Sequence, residues 1–210
     1  MNVYVWTNSL KNAYIGEVYE YSYDFRNKTL AQIQADGWTY WWSNTPTINS
    51  NWISIPIWWN NSWSKLYRSP SWLTSKLSTA KKITLEMISN IWAVSSPINN
   101  DCVLYLAWPS SYTSNWTWFG WGNTDSWFQR FTRVLWTDLY RWTYSTPSWE
   151  YTQTVTIDLI NKTMRNIVSN VLDKTNTITD AQISTIRTLK YLRLWAGYNR
   201  YVKTVSITIE

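Results

Sequence analysis

Apolar and polar residues alternate with a period of two along three parts of the chain. Ile83, Leu85 and Met87 alternate with polar neighbours, and the same pattern recurs over 154–159 and 204–209. A period of two gives a strand one buried face and one solvated face, as antiparallel sheets require. Shorter apolar runs, bounded by Ser, Asn and Pro clusters, predict further strands at 19–25, 52–57, 65–69, 102–107, 127–136, 140–144, 163–168 and 190–195. About ten strands in one domain indicate a sandwich or a barrel.

One segment, 179–189, has helical spacing instead. Ile183 and Ile186 share one face of a helix, Thr179 is a suitable N-cap, and Asp180 lies at the positive end of the helix dipole. The sequence therefore predicts an all-β domain with one short helix near 179–189 that connects two strands.

The first 20 residues lack the regular strand spacing of the rest of the chain. We expect a short edge strand over 3–6 and a polar connection over 7–12. The predicted organisation is an N-terminal leader or linker over 1–20, followed by one β-sandwich domain over 21–210. The N-terminus has no basic region followed by a long apolar stretch, so it does not predict a signal peptide. No run approaches the ~18 continuous apolar residues of a membrane helix.

The composition combines 19 Trp with only five Gly. An average Gly usage of about 7% would give about 15. Nine of the Trp residues lie in Asn-, Ser-, Thr- and Pro-rich turn contexts, where Gly is expected because it adopts positive φ without strain. These residues are Trp41, Trp42, Trp58, Trp59, Trp63, Trp72, Trp116, Trp118 and Trp121.

Two interpretations of the Trp content remain open. If the indoles are genuine, they form an exposed aromatic surface large enough to mark a binding site. Alternatively, the gene reads UGA as Gly, as some uncultured bacterial lineages and their phages do, and translation with another code has written Trp. We expect genuine Trp at four positions that fit strand patterns: Trp38, Trp127, Trp136 and Trp142.

Charge and the scarcity of reactive side chains exclude several functions. The net charge of +6 is spread along the chain, whereas nucleic-acid grooves concentrate Lys and Arg, so no nucleic-acid partner is expected. Histidine is absent, which removes the commonest general base and most zinc sites. The single Cys102 cannot form an internal disulfide and is expected to be a small buried hydrophobe.

Several segments together resemble a known fold. The runs 156–163, 178–183, 189–194 and 205–209 are similar to the closing strands of concanavalin A-like (laminin-G-like) jelly rolls, in particular uncharacterised ones in phage and bacterial surface proteins. The runs 23–26 and 51–55 resemble the opening strands, and 81–86 resembles the central strand. The resemblance covers about residues 21–210 and implies an antiparallel two-sheet jelly-roll sandwich. It implies little about function, because this fold occurs in lectins, glycosidases and structural domains.

Catalysis and metal binding are disfavoured. Glycosidases of this fold carry paired carboxylates along one strand, and the catalytic Glu-x-Asp-x-x-Glu pattern is missing here. The carboxylates considered are Glu17, Glu20, Asp24, Glu86, Glu150 and Asp158. We therefore expect no enzyme and no cofactor, although Ca²⁺ stays possible if the loop residues Asp101, Asp125 and Asp138 converge.

The best candidate for a binding face is the segment 127–142, in which aromatic and charged residues interleave. Rings can cover the apolar side of a sugar while neighbouring polar groups bind its hydroxyls. The predicted carbohydrate-binding residues are Trp127, Arg130, Trp136, Asp138, Tyr140 and Trp142. The alternative is that one face fills the core and Arg130 is merely solvated.

These observations predict a non-catalytic carbohydrate-binding or adhesion module on a virion or cell surface, whose partner is a glycan. A structural domain of an appendage or capsid, without a ligand, is the alternative, and a glycosidase is the third. We expect no membrane insertion, and the domain is expected to be part of a larger surface or virion assembly.

Overall fold

A computed structural model describes residues 10–15, 18–41, 47–48, 53–54, 65–91, 102–107, 118–124, 129–134, 137–143, 150–169, 172–196 and 200–210. Its strands are β1 (Leu10–Ile15), β2 (Val18–Asp24), β3 (Thr39–Trp41), β4 (Thr47–Ile48), β5 (Ile53–Ser54), β6 (Lys65–Arg68), β7 (Lys82–Ile91), β8 (Cys102–Ala107), β9 (Trp118–Thr124), β10 (Gln129–Val134), β11 (Thr137–Thr143), β12 (Tyr151–Asp158), β13 (Thr163–Val168), β14 (Leu172–Thr177), β15 (Tyr191–Ala196) and β16 (Arg200–Ile209). The helices are α1 (Leu30–Ala35), α2 (Ser71–Thr79) and α3 (Asp180–Ile186).

The strands form two antiparallel sheets. The first has nine strands and follows the order β1-β2-β16-β7-β12-β13-β14, while β4 pairs with β5 and β5 pairs with β16. The second has seven strands in the order β11-β10-β9-β8-β15-β6-β3. Half of the strand pairings join strands that are not consecutive in the chain, as in a jelly-roll sandwich. The predicted all-β, two-sheet fold is confirmed.

The inward face of the nine-stranded sheet supplies most of the apolar core. On β7, Ile83, Leu85 and Met87 are buried, and the alternating residues of β2, β12 and β16 are buried in the same way. The register places Leu85 opposite both Val155 and Ile207. Each of these side chains contributes about 1.5–3 kcal/mol through burial. The alternation in the sequence therefore predicted the core face of these strands.

The helix predicted near 179–189 is confirmed, although it is shorter. Thr179 caps α3: its side chain accepts a hydrogen bond from the Gln182 backbone, and the Gln182 side chain accepts one from the Thr179 backbone. Ile183 and Ile186 are buried, as their spacing predicted. This reciprocal pair is a capping box, which satisfies two backbone donors at the helix start.

The prediction of one helix was wrong, because α1 and α2 are also present. The start of α1 carries the same capping box, formed by Thr29 and Gln32, so a sequence signal for it existed. In α2 the N-cap is Pro70 and makes no side-chain hydrogen bond. Burial of Leu73 and Leu77 therefore accounts for α2, and this contribution arises only in the folded chain.

Near the N-terminus, part of the predicted polar connection over 7–12 is instead a strand. β1 pairs with β2 along its whole length, from Leu10 opposite Tyr23 to Ile15 opposite Val18. β2 itself crosses the expected boundary at residue 20. The division into a leader over 1–20 and a domain over 21–210 stays a prediction. The edge strand expected at 3–6 lies outside the described residues.

The turn assignment was wrong for four of the nine Trp residues. Trp41 ends β3, Trp72 lies in α2, and Trp118 and Trp121 lie in β9. Within the described part of the chain, the residues with positive φ are Asn27, Lys162 and Gly37, and none is Trp. The other five turn-context Trp residues, at 42, 58, 59, 63 and 116, lie outside the described residues.

Candidate functional site

The strands β10 and β11 carry four of the six residues predicted to bind carbohydrate. Arg130 lies in β10, and Asp138, Tyr140 and Trp142 lie in β11. Trp127 and Trp136 lie outside the described residues. The two strands are neighbours at one edge of the seven-stranded sheet, and β11 is its outermost strand. Among the described strands, one side of β11 therefore has no partner.

The backbone register places one pair of these positions opposite each other. Arg130 lies opposite Trp142, and Thr132 lies opposite Tyr140. The register then shifts between Thr132 and Arg133, and Asp138 lies opposite Arg133. Such an irregularity bends a strand and can redirect a side chain, and it is frequent beside binding sites. Opposed residues of an antiparallel pair are spaced closely enough to act on one ligand.

A second group of polar and aromatic residues was not predicted from the sequence. The Asp36 cluster consists of Tyr23, Lys28 and Asp36. The Tyr23 hydroxyl donates to Asp36 Oδ2 at 2.8 Å, and Lys28 Nζ lies 2.5 Å from the same oxygen. Lys28 also lies 4.6 Å from the centre of the Tyr23 ring. The cluster connects the C-terminal end of α1 to β2.

These contacts shift the pKa values of Asp36 and Tyr23. Burial favours the neutral acid of Asp36, but the hydrogen bonds from Lys28 and Tyr23 outweigh it, so the pKa of Asp36 is below its ordinary value. Burial, and then the hydrogen bond to Asp36, raise the pKa of the Tyr23 hydroxyl. Asp36 is therefore a stable anion whose bonds are made within the fold, which suits a structural role better than proton transfer.

A tyrosine and an arginine connect the two sheets beside this cluster. Arg68, at the end of β6, donates from Nη1 to the Tyr21 hydroxyl at 2.8 Å, and its guanidinium lies 4.8 Å from the centre of the Tyr21 ring. Burial raises the pKa of Tyr21 to about 12, although Arg68 acts in the opposite direction. Gly37, with φ of 90°, lies against Arg68. This contact aligns β2 with β6.

The helix α2 places one Trp in a partly buried aromatic pair. The Trp72 and Tyr19 ring centroids are 4.2 Å apart, and Trp72 and Tyr21 are 5.8 Å apart. Lys76 Nζ lies 5.9 Å from the Tyr19 ring. Trp72 and Tyr19 pack against the apolar core, so this pair stabilises α2 on β2.

The carboxylates considered for catalysis make separate contacts. Asp24 bonds with Arg26, and Glu150 pairs with Lys203. Asp158 accepts hydrogen bonds from the turn that follows β12, and Thr154 donates to Glu86 Oε2 at 3.4 Å. Glu20 lies in β2, and Glu17 lies outside the described residues. Asp24 and Glu150 both raise the pKa of Arg26, whereas the hydrogen bonds of Asp158 and Glu86 lie elsewhere in the described structure.

The convergence of the three Asp residues that could hold Ca²⁺ stays a prediction. Asp101 and Asp125 lie outside the described residues, and Asp138 is part of β11. Among the residues that the structure describes, no three His, Cys, Asp or Glu side chains are grouped to hold a metal ion. None of the three described helices has the length and apolar composition needed to span a membrane.

Comparison with known proteins identifies the fold. No protein-family model matches the chain, and no curated protein matches its sequence. The chain is similar to peanut lectin, with a TM-score of 0.63 and 13% identity over 91% of this chain and 97% of the lectin.

Two further structures are similar over almost their whole lengths. A conserved carbohydrate esterase of Shiga toxin-encoding bacteriophage phi24B has a TM-score of 0.59 and 11% identity over 90% of this chain and 97% of its own. The carbohydrate recognition domain of Emp46p has a TM-score of 0.55 and 9% identity over 89% and 91%. At these identities the similarity concerns the fold alone. The described chain is an antiparallel jelly-roll sandwich of the concanavalin A-like kind.

Proposed function

We propose that this chain is a non-catalytic carbohydrate-binding or adhesion module of a virion or cell-surface protein. The observation that supports this most directly is the register of β10 and β11, in which Arg130 lies opposite Trp142 at the edge of a lectin-like sandwich. Two structures of similar fold are named as a lectin and a carbohydrate recognition domain. The proposed ligand is a glycan.

The proposed roles follow from the chemistry of sugars. The rings of Tyr140 and Trp142 cover the apolar face of a pyranose, in the way that aromatic side chains cover apolar surface elsewhere. Arg130 donates hydrogen bonds to sugar oxygens, and Asp138 accepts them from sugar hydroxyls. Trp127 and Trp136, which flank β10 in sequence, extend the aromatic platform.

Glycan-array binding tests this function with one substitution on β11. Trp142→Ala removes the stacking ring, and we expect the affinity for bound glycans to fall at least about tenfold, which corresponds to about 1.4 kcal/mol. Trp142→Phe keeps an aromatic ring and is expected to retain most of the binding. The measurement is array fluorescence followed by titration of the best glycan.

Matched arginine variants supply the control for this experiment. Arg130→Ala should weaken glycan binding, whereas Arg165→Ala should not, because Arg165 lies on β13 in an exposed pair with Asp173. Equal binding by the unaltered chain and Trp142→Ala would contradict the proposed face. A lack of binding to every glycan by the unaltered chain would favour the alternative, a structural domain of an appendage or capsid.

A hydrolytic function is the third candidate, since one structure of similar fold is named a carbohydrate esterase. Release of reducing sugar from polysaccharides, abolished by Glu86→Gln or Glu150→Gln, would favour a glycosidase over a binding module. Glu86 accepts a hydrogen bond from Thr154, and Glu150 pairs with Lys203, which are contacts that structural carboxylates make.

We also propose that several Trp positions outside the described elements are UGA codons that the source organism reads as Gly. The five turn-context positions without a described structure, at 42, 58, 59, 63 and 116, are the ones concerned. Peptide mass spectrometry of the protein from its source should show Gly at these positions. Trp in each of those peptides, together with UGG codons in the gene, would refute the recoding and show that these residues are genuinely aromatic.

A further inference from the structure

The inward face of the nine-stranded sheet changes from apolar to polar between its centre and its β14 edge. Four polar residues lie on that face, one on each of β7, β12, β13 and β14, and we call them the amide row: Ser89, Gln153, Asn166 and Asn176. Ser89 is 1% exposed, and Gln153 and Asn166 are fully buried. Asn176 is half-buried, at the edge strand.

The first step of the amide row crosses from β7 to β12. Gln153 lies opposite Met87, which is two residues before Ser89. Because side chains two apart on a strand share a face, Ser89 and Gln153 are diagonal neighbours on the inward face.

The next two steps repeat the same diagonal. Asn166 on β13 lies opposite Val155, two residues after Gln153. Asn176 on β14 lies opposite Met164, two residues before Asn166. The four residues thus form one straight diagonal across four strands. None of them is Trp, so the row is the same whichever way the Trp codons are read.

Most of the polar groups in this row lack partners. Ser89 Oγ, both polar atoms of the Gln153 side chain and Asn176 Nδ2 are buried and make no hydrogen bond with the residues that the structure describes. Buried amide and hydroxyl groups are almost always hydrogen-bonded, because leaving them unpaired forfeits their hydration. An amide has both donors and acceptors, so a partner for Gln153 must offer both.

The spacing of the row indicates what that partner is. Diagonal neighbours in an antiparallel sheet are about 7–8 Å apart, which is too far for short polar side chains to bond directly along the whole row. A water molecule donates and accepts, and it bridges polar atoms that are about 5 Å apart through two hydrogen bonds. Sites with several converging polar groups are those in which proteins hold internal water.

We propose that the amide row binds a chain of ordered water molecules between the two sheets, from Ser89 to Asn176. Gln153 is the central ligand, since it donates to one water and accepts from the next. The half-buried Asn176 is the end at which this chain meets the solvent. The interior beside β12–β14 and the Ser89 end of β7 is then hydrated, whereas the interior beside β2 and β16 is dry.

Water-to-protein cross-relaxation in NMR spectra of the unaltered chain tests this proposal. We expect signals from long-lived water at the side-chain amide protons of Gln153 and Asn176, with the opposite NOE and ROE signs that separate dipolar transfer from proton exchange. The exposed side chain of Gln34 is the internal control and should show no long-lived water. Absence of long-lived water at Gln153 would overturn the proposal.

A substitution gives an independent readout. Gln153→Met keeps the length of the side chain but removes its hydrogen bonds to water, and we expect Tm to fall by about 3–6 °C for a chain of this size. Gln34→Met, on the surface of α1, should leave Tm unchanged. A rise in Tm for Gln153→Met would overturn the proposal, since an apolar side chain would then fit a dry site better. If Gln153→Met does not fold, the NMR measurement on the unaltered chain decides.

Discussion

Replacing Trp38 by alanine should lower the free energy of unfolding by about 3–5 kcal/mol, the range for truncating a large aromatic side chain in a core. Trp38 is 1% exposed, and its ring centroid lies 5.5 Å from that of Phe25 and 5.6 Å from that of Tyr23. Alanine would leave a cavity beside both rings. Urea unfolding followed by circular dichroism measures the loss.

Two further variants make the Trp38 result specific. Trp38→Phe keeps a ring in the core and should recover at least half of the lost stability. Trp72→Ala removes an indole that is only partly buried, so we expect a smaller loss, about 1–2 kcal/mol. A loss below 1 kcal/mol for Trp38→Ala would show that Trp38 is not part of the core. The experiment also tests whether an indole is needed at this position in the chain.

Replacing Asp36 by asparagine should lower the free energy of unfolding by about 2–3 kcal/mol at neutral pH. The substitution weakens the hydrogen bonds that Asp36 receives from Tyr23 and Lys28. It also leaves the ammonium group of Lys28, whose side chain is 11% exposed, without its counterion. Hydrogen bonds to charged groups contribute about 1.5–3 kcal/mol each. Unfolding in denaturant at several pH values measures the effect.

The stabilising contribution of Asp36 should decrease as the pH falls. The pKa of Asp36 is lowered in the folded chain, so its stabilising contribution is complete above the ordinary carboxyl value of 3.8 and is lost as the pH falls through the folded value. The difference between the unaltered chain and Asp36→Asn should therefore narrow below about pH 4. Asp173→Asn is the control, because the Arg165–Asp173 pair is exposed and its loss should change stability little. A difference in the free energy of unfolding that increases below pH 4 would contradict a stabilising role for ionised Asp36.

The strands were predictable from the sequence because their signal is local. The bounds predicted for β8 and β13, 102–107 and 163–168, agree with the structure at both ends. Each has apolar residues bounded by turn residues, and this pattern needs no knowledge of the partner strand. Five strands were not predicted: β1, β3, β4, β9 and β14. In β9 the two Gly residues and the final Asn and Thr are typical of turns, which hides the strand.

The candidate sites were less predictable than the strands, because they depend on pairing. The sequence placed Arg130 and Trp142 on strands, but their opposition depends on the connection between β10 and β11 and on the register irregularity. Register is set by turn geometry and by which face is buried. Similarly, Asp36 meets Tyr23 only because α1 folds between them, and α1 was not predicted.

The position of β16 has a consequence for how this chain reaches its native state. β16 lies between β2 and β7 and is paired along both of its sides. β2 and β7 are synthesised early, but the sheet between them cannot form until β16 has left the ribosome. Closing such long loops is slow. Until β16 is synthesised, the edges of β2 and β7 that it pairs with stay exposed to other chains, so nascent copies are most prone to aggregate before β16 emerges.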